Sequence, residues 1–164
     1  RMLGVVAKDK GITVSYETDD TAAVMGSEDD LHQILYNLME NGIKYSSVDG
    51  FVHTAVTVEG DEVVLSVEDN GIGIPDEDMD HIFERFYREN IHPNITGTGL
   101  GLSIVQQLVK KNQGHIFVKS QKGITQFTVV WPIYRKTNPL KHPTFPVANY
   151  RANVPNDAPK NPVE

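Results

Sequence analysis

The chain has 164 residues with 39% hydrophobic and 23% charged content, enough for one domain with a real core and hardly for two. A formal net charge of −7 argues against a nucleic-acid footprint, which demands basic surface, and the absence of cysteine excludes a disulfide framework, a zinc–thiolate site and a thiol nucleophile. No apolar run approaches the roughly 18–20 residues of a membrane span, and no signal peptide opens the chain. The opening Arg1-Met2 falls mid-pattern, as expected of a piece of a longer parent.

In chain order, Leu3, Val6 and Ala7 before Lys8-Asp9-Lys10-Gly11 read as the end of a helix closed by glycine, and Ile12 to Tyr16 alternates as a short strand. Ser27 is placed to cap a helix. Leu31, Ile34, Leu35, Leu38 and Met39 then recur at helical spacing over Asp29 to Lys44, with Asn37 and Asn41 stacked on one face. Phe51 to Val58 and Glu62 to Val67 alternate around Glu59-Gly60-Asp61 as a hairpin whose second strand runs out at Asp69. Asp76 to Phe83 is expected to be a short helix. Glu84 to Thr96, polar and interrupted by Pro93, reads as a mobile loop. Leu100 to Lys111 is a second long helix, with Leu102, Val105, Leu108 and Val109 inward and Gly114 at its end. Ile116 to Ser120 and Gln126 to Trp131 are two further strands with a turn near Gly123. After Pro132 recurrent prolines exclude a regular helix or central strand, so a flexible or extended tail is expected, with Phe145, Val147 and Tyr150 as its anchors.

Two glycine clusters carry the chemistry. In Asp69-Asn70-Gly71-Ile72-Gly73-Ile74 a strand ends in a carboxylate, which can accept the exocyclic amine of an adenine, and the glycines let backbone pass close to a flat ring. Alone, the segment reads equally as a glycine-rich turn with an acidic cap. Gly97-Thr98-Gly99-Leu100-Gly101-Leu102 opens a helix, where free amides and the positive helix end suit a phosphate. It has neither the lysine of the Walker loop nor the preceding strand of the dinucleotide fingerprint. Asn37 and Asn41 offer neutral oxygens of the kind magnesium takes alongside phosphates and waters. Lys44, one turn on, can neutralise phosphate as a point cation, and Tyr45 can pack along a nucleotide or form ordinary core rim. Arg85 and Arg88 match phosphate geometry, or else are solvated among nearby acids. Phe83 and Phe86 are expected to anchor their loop on the core.

In order, Asn37-Leu-Met-Glu-Asn41-Gly-Ile-Lys44-Tyr45, Asp69-Asn-Gly-Ile-Gly-Ile74, Phe83-Glu-Arg-Phe-Tyr-Arg88 and Gly97-Thr-Gly-Leu-Gly-Leu102 resemble the N, G1, F and G2 boxes of bacterial sensor histidine kinases. The resemblance covers about residues 1–134. It implies an α+β fold: a two-layer sandwich of the kind shared with gyrase, Hsp90 and MutL, with a mixed, mostly antiparallel sheet of about five strands and about three helices on one face. Residues 135–164 match no element of the family. By the same resemblance Asn41 would bind magnesium, Asp69 would read the adenine amine and Tyr45 would flank the base. Asn37, Lys44 and Arg88 would act at the phosphates, with Arg88 at the γ-phosphate. Gly71, Gly73, Ile74, Phe86, Thr98, Gly99, Leu100, Gly101 and Leu102 would complete an ATP site.

One position separates the branches of that superfamily. The ATP-hydrolysing relatives carry a glutamate four residues before the magnesium asparagine; here Asn37 stands there and cannot act as a base. Glu40, about 100° around the helix from Asn41, is a poor substitute. The resemblance therefore implies phosphoryl donation to a histidine on a separate dimerisation domain and, through it, to a response regulator. The expected setting is a cytoplasmic domain of a membrane-anchored parent. None of His32, His53, His81, His92, His115 and His142 has the sequence context of a phosphoacceptor. A nucleotide-binding regulatory module and, against Asn37, a gyrase-type ATPase are the alternatives. Gly42 stands where the family has alanine, at a cost of about 1 kcal/mol in helix propensity, and only Gly123 marks the last glycine box.

Overall fold

The computed structural model describes residues 7–95, 97, 99–135 and 144–146. Its elements in order are β1 (Thr13–Thr18), β2 (Ala23–Met25), α1 (Glu28–Tyr45), β3 (Phe51–Glu59), β4 (Glu62–Asp69), a 3-10 turn (Asp76–Asp78), α2 (Tyr87–Ile91), α3 (Gly101–Lys111), β5 (His115–Gln121), β6 (Ile124–Pro132) and β7 (Thr144–Pro146). Five strands form one sheet in the order β1-β3-β4-β6-β5, with β1 parallel to β3 and every other pair antiparallel. This is the α+β sandwich expected, a mixed and mostly antiparallel sheet under three described α-helices.

Strand alternation selects the buried face. Val52 and Val56 on β3, Val63, Leu65 and Val67 on β4, and Phe127, Val129 and Trp131 on β6 meet Ile34 and Leu38 of α1 and Leu102, Val105 and Val109 of α3 in one core. Asp69 shares the parity of Val63, Leu65 and Val67 and pairs with Val52, so the last residue of β4 faces the helices rather than solvent. Gly42 of α1 lies over this pair: a Cβ there would come within 3.3 Å of both Val52 methyls and 3.8 Å of Asp69 Cβ. The helix weakness noted in the sequence is therefore the condition for bringing α1 down onto the end of β4.

The two long helices are bolted together at the end remote from the glycine clusters. Ser27 accepts from Asp30 N (3.3 Å) and caps α1, whose first turn carries Glu28, Asp29 and Asp30. Asn112, just past α3, donates to Asp30 (3.0 Å) and Leu108 O (2.8 Å) and accepts from Ser27 N (3.0 Å). α3 ends with Gln113 in the left-handed region (φ 64); Gly114 is needed because a Cβ there would lie 2.6 Å from the Trp131 indole nitrogen.

The β3–β4 loop is two residues, Gly60 and Asp61, with Gly60 at φ 60, one residue shorter than the expected turn. The β5–β6 turn is Lys122-Gly123, both at positive φ. The helix expected over Asp76 to Phe83 is only the 3-10 turn followed by irregular turns, and the segment expected as a mobile loop contains α2. Phe83 is buried edge-on against Phe127, whereas Phe86 is 50% exposed and does not anchor the loop. The unexpected β2 bridges Ile133 and pairs with β7, so the proline-rich segment contributes an edge strand with Phe145 opposite Val24. Leu3, Val6, Val147 and Tyr150 lie outside the described residues. Among the described residues no helix is long and apolar enough to cross a membrane.

Candidate functional site

A cleft open to solvent lies between the C-terminal half of α1 and the start of α3. Its lining is Asn37, Glu40, Asn41, Lys44 and Tyr45 of α1, Ile82, Glu84 and Arg88 of the connecting segment, and Gly99, Gly101 and Leu102 of the second glycine cluster. Sequence segments far apart in the chain thus converge on one wall of side chains and one backbone turn.

The α1 wall is polar at its asparagines. Asn37 accepts from Gln33 Nε2 (2.9 Å) and donates to Gly101 O (3.4 Å), which ties the helix to the second glycine cluster. Asn41 is 8% exposed, four residues on and on the same side. Lys44 lies 5.1 Å from the centre of the Tyr45 ring. The opposite side is the N-terminus of α3, where Gly99 takes φ 72 and Leu100 stands at the N-cap. The first turn of α3 carries no acidic residue, so no local carboxylate opposes the positive end of its dipole. Phe86 N donates to Gly99 O (2.7 Å), coupling the α2 segment to this turn, and Phe86 itself takes φ 64. Thr98 lies outside the described residues.

Arg88 is where the structure departs furthest from a phosphate-facing side chain. It is buried, and its guanidinium sits 3.6 Å from the centre of the Tyr45 ring, a stacked cation–π contact. His92 meets the same ring edge-on at 5.9 Å. In this conformation Arg88 covers one face of the Tyr45 ring.

Asp69 is 3% exposed and, like Gly71, Gly73 and Ile74, is not among the residues that line the cleft. It accepts from Gly71 N through Oδ1 (2.8 Å). Burial pushes its carboxyl up to about 6; the Gly71 amide bond, Arg88 and Lys10 pull the other way, and neighbouring Glu68 adds to the rise. Gly71 is a glycine because a Cβ would lie 1.9 Å from Tyr45 O, and Ile72 N donates to that same carbonyl (3.0 Å). The close approach that makes this glycine necessary is thus to the protein's own helix end. Gly73 takes φ 75, and Ile74 N donates to Ser120 Oγ (2.9 Å).

The cleft also reaches carboxylates that the sequence reading leaves off the site. Glu40 lines it although helical geometry turns it away from Asn41, because the cleft spans the flank of α1 as well as its crest. Tyr36 leans on Glu40: burial first, and then that carboxylate, raise the phenol's pKa. Glu84 lies on the far rim. Among the described residues no group of three or more histidine and carboxylate side chains is placed to hold a metal ion by itself.

The fold and the cleft together set an asparagine-bearing helix against the glycine turn that opens α3. The chain belongs to the histidine kinase-, DNA gyrase B- and HSP90-like ATPase family, whose model matches residues 26–135. Among its relatives is the sensor histidine kinase RcsC of Escherichia coli, 35% identical over 140 residues, an alignment covering 84% of this chain. This chain spans 15% of the length of that kinase. A mycobacterial sensor histidine kinase, MprB, superposes with a TM-score of 0.67 at 29% identity, over 80% of this chain and 90% of the other. Full-length ShkA in complex with AMPPNP gives 0.68 at 28% identity, over 85% of this chain and 29% of that one.

Proposed function

We propose that this chain binds ATP with magnesium and donates the γ-phosphoryl group to a histidine on a separate dimerisation and phosphoacceptor domain of the same parent protein. The observation that carries the reading is the convergence of Asn37, Asn41, Lys44, Arg88 and the Gly99–Gly101 turn on one cleft, with asparagine rather than glutamate at position 37. In that reading Asp69 accepts the adenine amine, and Tyr45, Gly71, Gly73 and Ile74 frame the base. Lys44 and the N-terminus of α3 hold phosphates, with Thr98, Leu100, Leu102 and Phe86 closing over them. Asn41 would hold magnesium through its amide oxygen. That ion needs only one or two protein ligands when phosphates and waters supply the rest, so a neutral asparagine in a cleft without a carboxylate cage fits it.

Arg88 moves from the Tyr45 ring to the γ-phosphate when a base takes its place. With no base at position 37 to activate water, transfer proceeds by attack of a histidine nitrogen on Pγ as the bond to the ADP oxygen breaks. The phosphoryl group then passes to a response regulator. The parent is membrane-anchored with this domain in the cytoplasm; residues 1–134 form the catalytic unit and 135–164 a proline-rich extension. Support comes from the family membership and from the AMPPNP complex of ShkA.

The test is incubation of the chain with γ-labelled ATP, with and without a separately produced histidine-bearing helical hairpin from a sensor kinase. Label appearing on the hairpin histidine, with negligible steady hydrolysis in its absence, is the expected result. Sustained hydrolysis by the chain alone points to a gyrase-type ATPase instead. The occupied Tyr45 face favours one further reading, a regulatory module that holds nucleotide without transferring it; binding without any labelled histidine is its signature.

A further inference from the structure

The end of α1 carries Lys44 and Tyr45 into the cleft, and locally only Ser46 N closes on it, at Gly42 O (2.9 Å). The residue after Tyr45 is Ser46 in an extended conformation (φ −65, ψ 151), not a left-handed glycine. The last carbonyls of a helix have no partner within it. Here those of Ile43, Lys44 and Tyr45 are satisfied from a distance. Lys10 Nζ donates to Ile43 O (2.9 Å), Lys44 O (3.1 Å) and Ser46 O (2.9 Å), while Tyr45 O accepts from Ile72 N (3.0 Å). An ammonium has three donors, and all three are used. Lys10 therefore has no donor left for a ligand and works only through the backbone it gathers. A positive charge at this end also complements the helix dipole.

Lys10 is itself held in place. Its carbonyl accepts from Asp49 N (2.9 Å), and Gly11 follows at φ 69, where a Cβ would lie 2.2 Å from Asp49 Oδ1. Gly11 N and Ile12 N close the preceding helical turn on Lys8 O (3.1 Å) and Ala7 O (2.8 Å). The end of α1 is thus gripped between Lys10 on one side and the Gly71-Ile72 backbone on the other. Burial lowers the pKa of the ammonium and the nearby Asp69 carboxylate opposes that, so the clamp and the buried acid share one electrostatic environment.

We propose that Lys10 is a positioning residue for the nucleotide site, its ammonium drawing together the terminal carbonyls of α1 so that Lys44, Tyr45 and the Gly71-Ile72 turn keep one arrangement. This rests on the nucleotide reading above. Lys10→Met keeps the length of the stem and removes the donors. At a temperature where circular dichroism shows the variant folded, it is expected to bind magnesium–AMPPNP tenfold or more weakly by calorimetry. It is also expected to lose hydrogen-exchange protection at the Ser46 and Ile72 amides. The exposed neighbour variant Lys8→Met is expected to match the native chain in both respects.

In Lys10→Ala, added propylammonium is expected to restore part of the binding, whereas tetramethylammonium, a cation without N–H donors, is not. A residue needed only for packing gives neither the donor-specific rescue nor the affinity loss in a fully folded variant. Binding by Lys10→Met within twofold of the native chain overturns the proposal, and so does equal rescue by the two ammonium ions. If the methionine variant does not fold, Lys10→Gln replaces it: a neutral amide with two N–H donors cannot serve three carbonyls, so threefold or weaker binding is expected and native affinity refutes the clamp. If the native chain binds no nucleotide, the nucleotide reading fails, and the exchange measurement on the ligand-free chain decides the clamp alone.

Discussion

Asp69→Asn is predicted to make the ligand-free chain more stable and the nucleotide complex weaker. The folded carboxyl is pushed from an ordinary value of 3.8 up to about 6, chiefly by burial. An acid whose pKa is raised by folding stabilises the fold while protonated and loses that contribution as pH rises through the folded value. A shift of about two units corresponds to roughly 3 kcal/mol as an upper figure. Asparagine has the shape of the protonated acid and never ionises. The stability difference between variant and native chain is therefore expected to be near zero at pH 4, to grow between pH 4 and about 6, and to level off above that at about 1–3 kcal/mol in favour of the variant. Urea unfolding at several pH values reads this difference, and other titrating groups cancel between the two chains.

Binding moves the other way for a geometric reason. Oδ1 is already engaged by Gly71 N. An asparagine that keeps that bond turns its NH2 toward the base, donor against donor. Loss of a hydrogen bond to a charged group costs about 1.5–3 kcal/mol, or roughly 10–150-fold in affinity. Native affinity is correspondingly expected to fall as pH drops below about 6. A variant that is destabilised at neutral pH, or a stability difference independent of pH, refutes the reasoning.

Arg88→Ala vacates the Tyr45 face. It is expected to strengthen adenosine binding several-fold, since a cation–π contact of about 0.5–2 kcal/mol no longer has to be broken, and to weaken ATP binding. Parallel loss for both ligands, measured by titration calorimetry, contradicts the two positions assigned to this side chain. Lys122 sits at φ 53 in a two-residue turn beside Gly123, a conformation that suits asparagine or glycine better than lysine. Lys122→Asn is expected to raise stability by about 0.5–1 kcal/mol with an unchanged denaturant slope; an unmoved midpoint contradicts the turn assignment.

The parts of the fold that were legible in the sequence are those with a long periodic signal. The α1 and α3 stripes and the alternating β3–β4 and β5–β6 hairpins lie within a residue or two of their expected bounds. β2 was not legible because three residues carry no period and its partners, Ile133 and β7, are remote in sequence. α2 was hidden in a polar segment beside Pro93, and the order imposed on it by Phe86 N bonding to Gly99 O is a tertiary effect. Of the candidate site, the glycine clusters and asparagines were legible because backbone freedom and helix register are local properties. The seat of Arg88 on Tyr45, the reach of the cleft to Glu40 and Glu84, and the Asn112 tie between the long helices were not, since each depends on which remote surfaces meet. Asn112 left one faint mark: a lone asparagine after the lysines that close α3, where a side-chain amide can turn back on the helix end.

The proposed function stands or falls with ATP binding through Asp69 and Asn41. Calorimetric titration of the chain with AMPPNP, with and without magnesium, tests this most directly. One site per chain is expected, strengthened by magnesium in the native protein, with the magnesium effect lost in Asn41→Ala and binding reduced with or without the ion in Asp69→Asn. No binding at millimolar nucleotide, or binding unaffected by both substitutions, contradicts it.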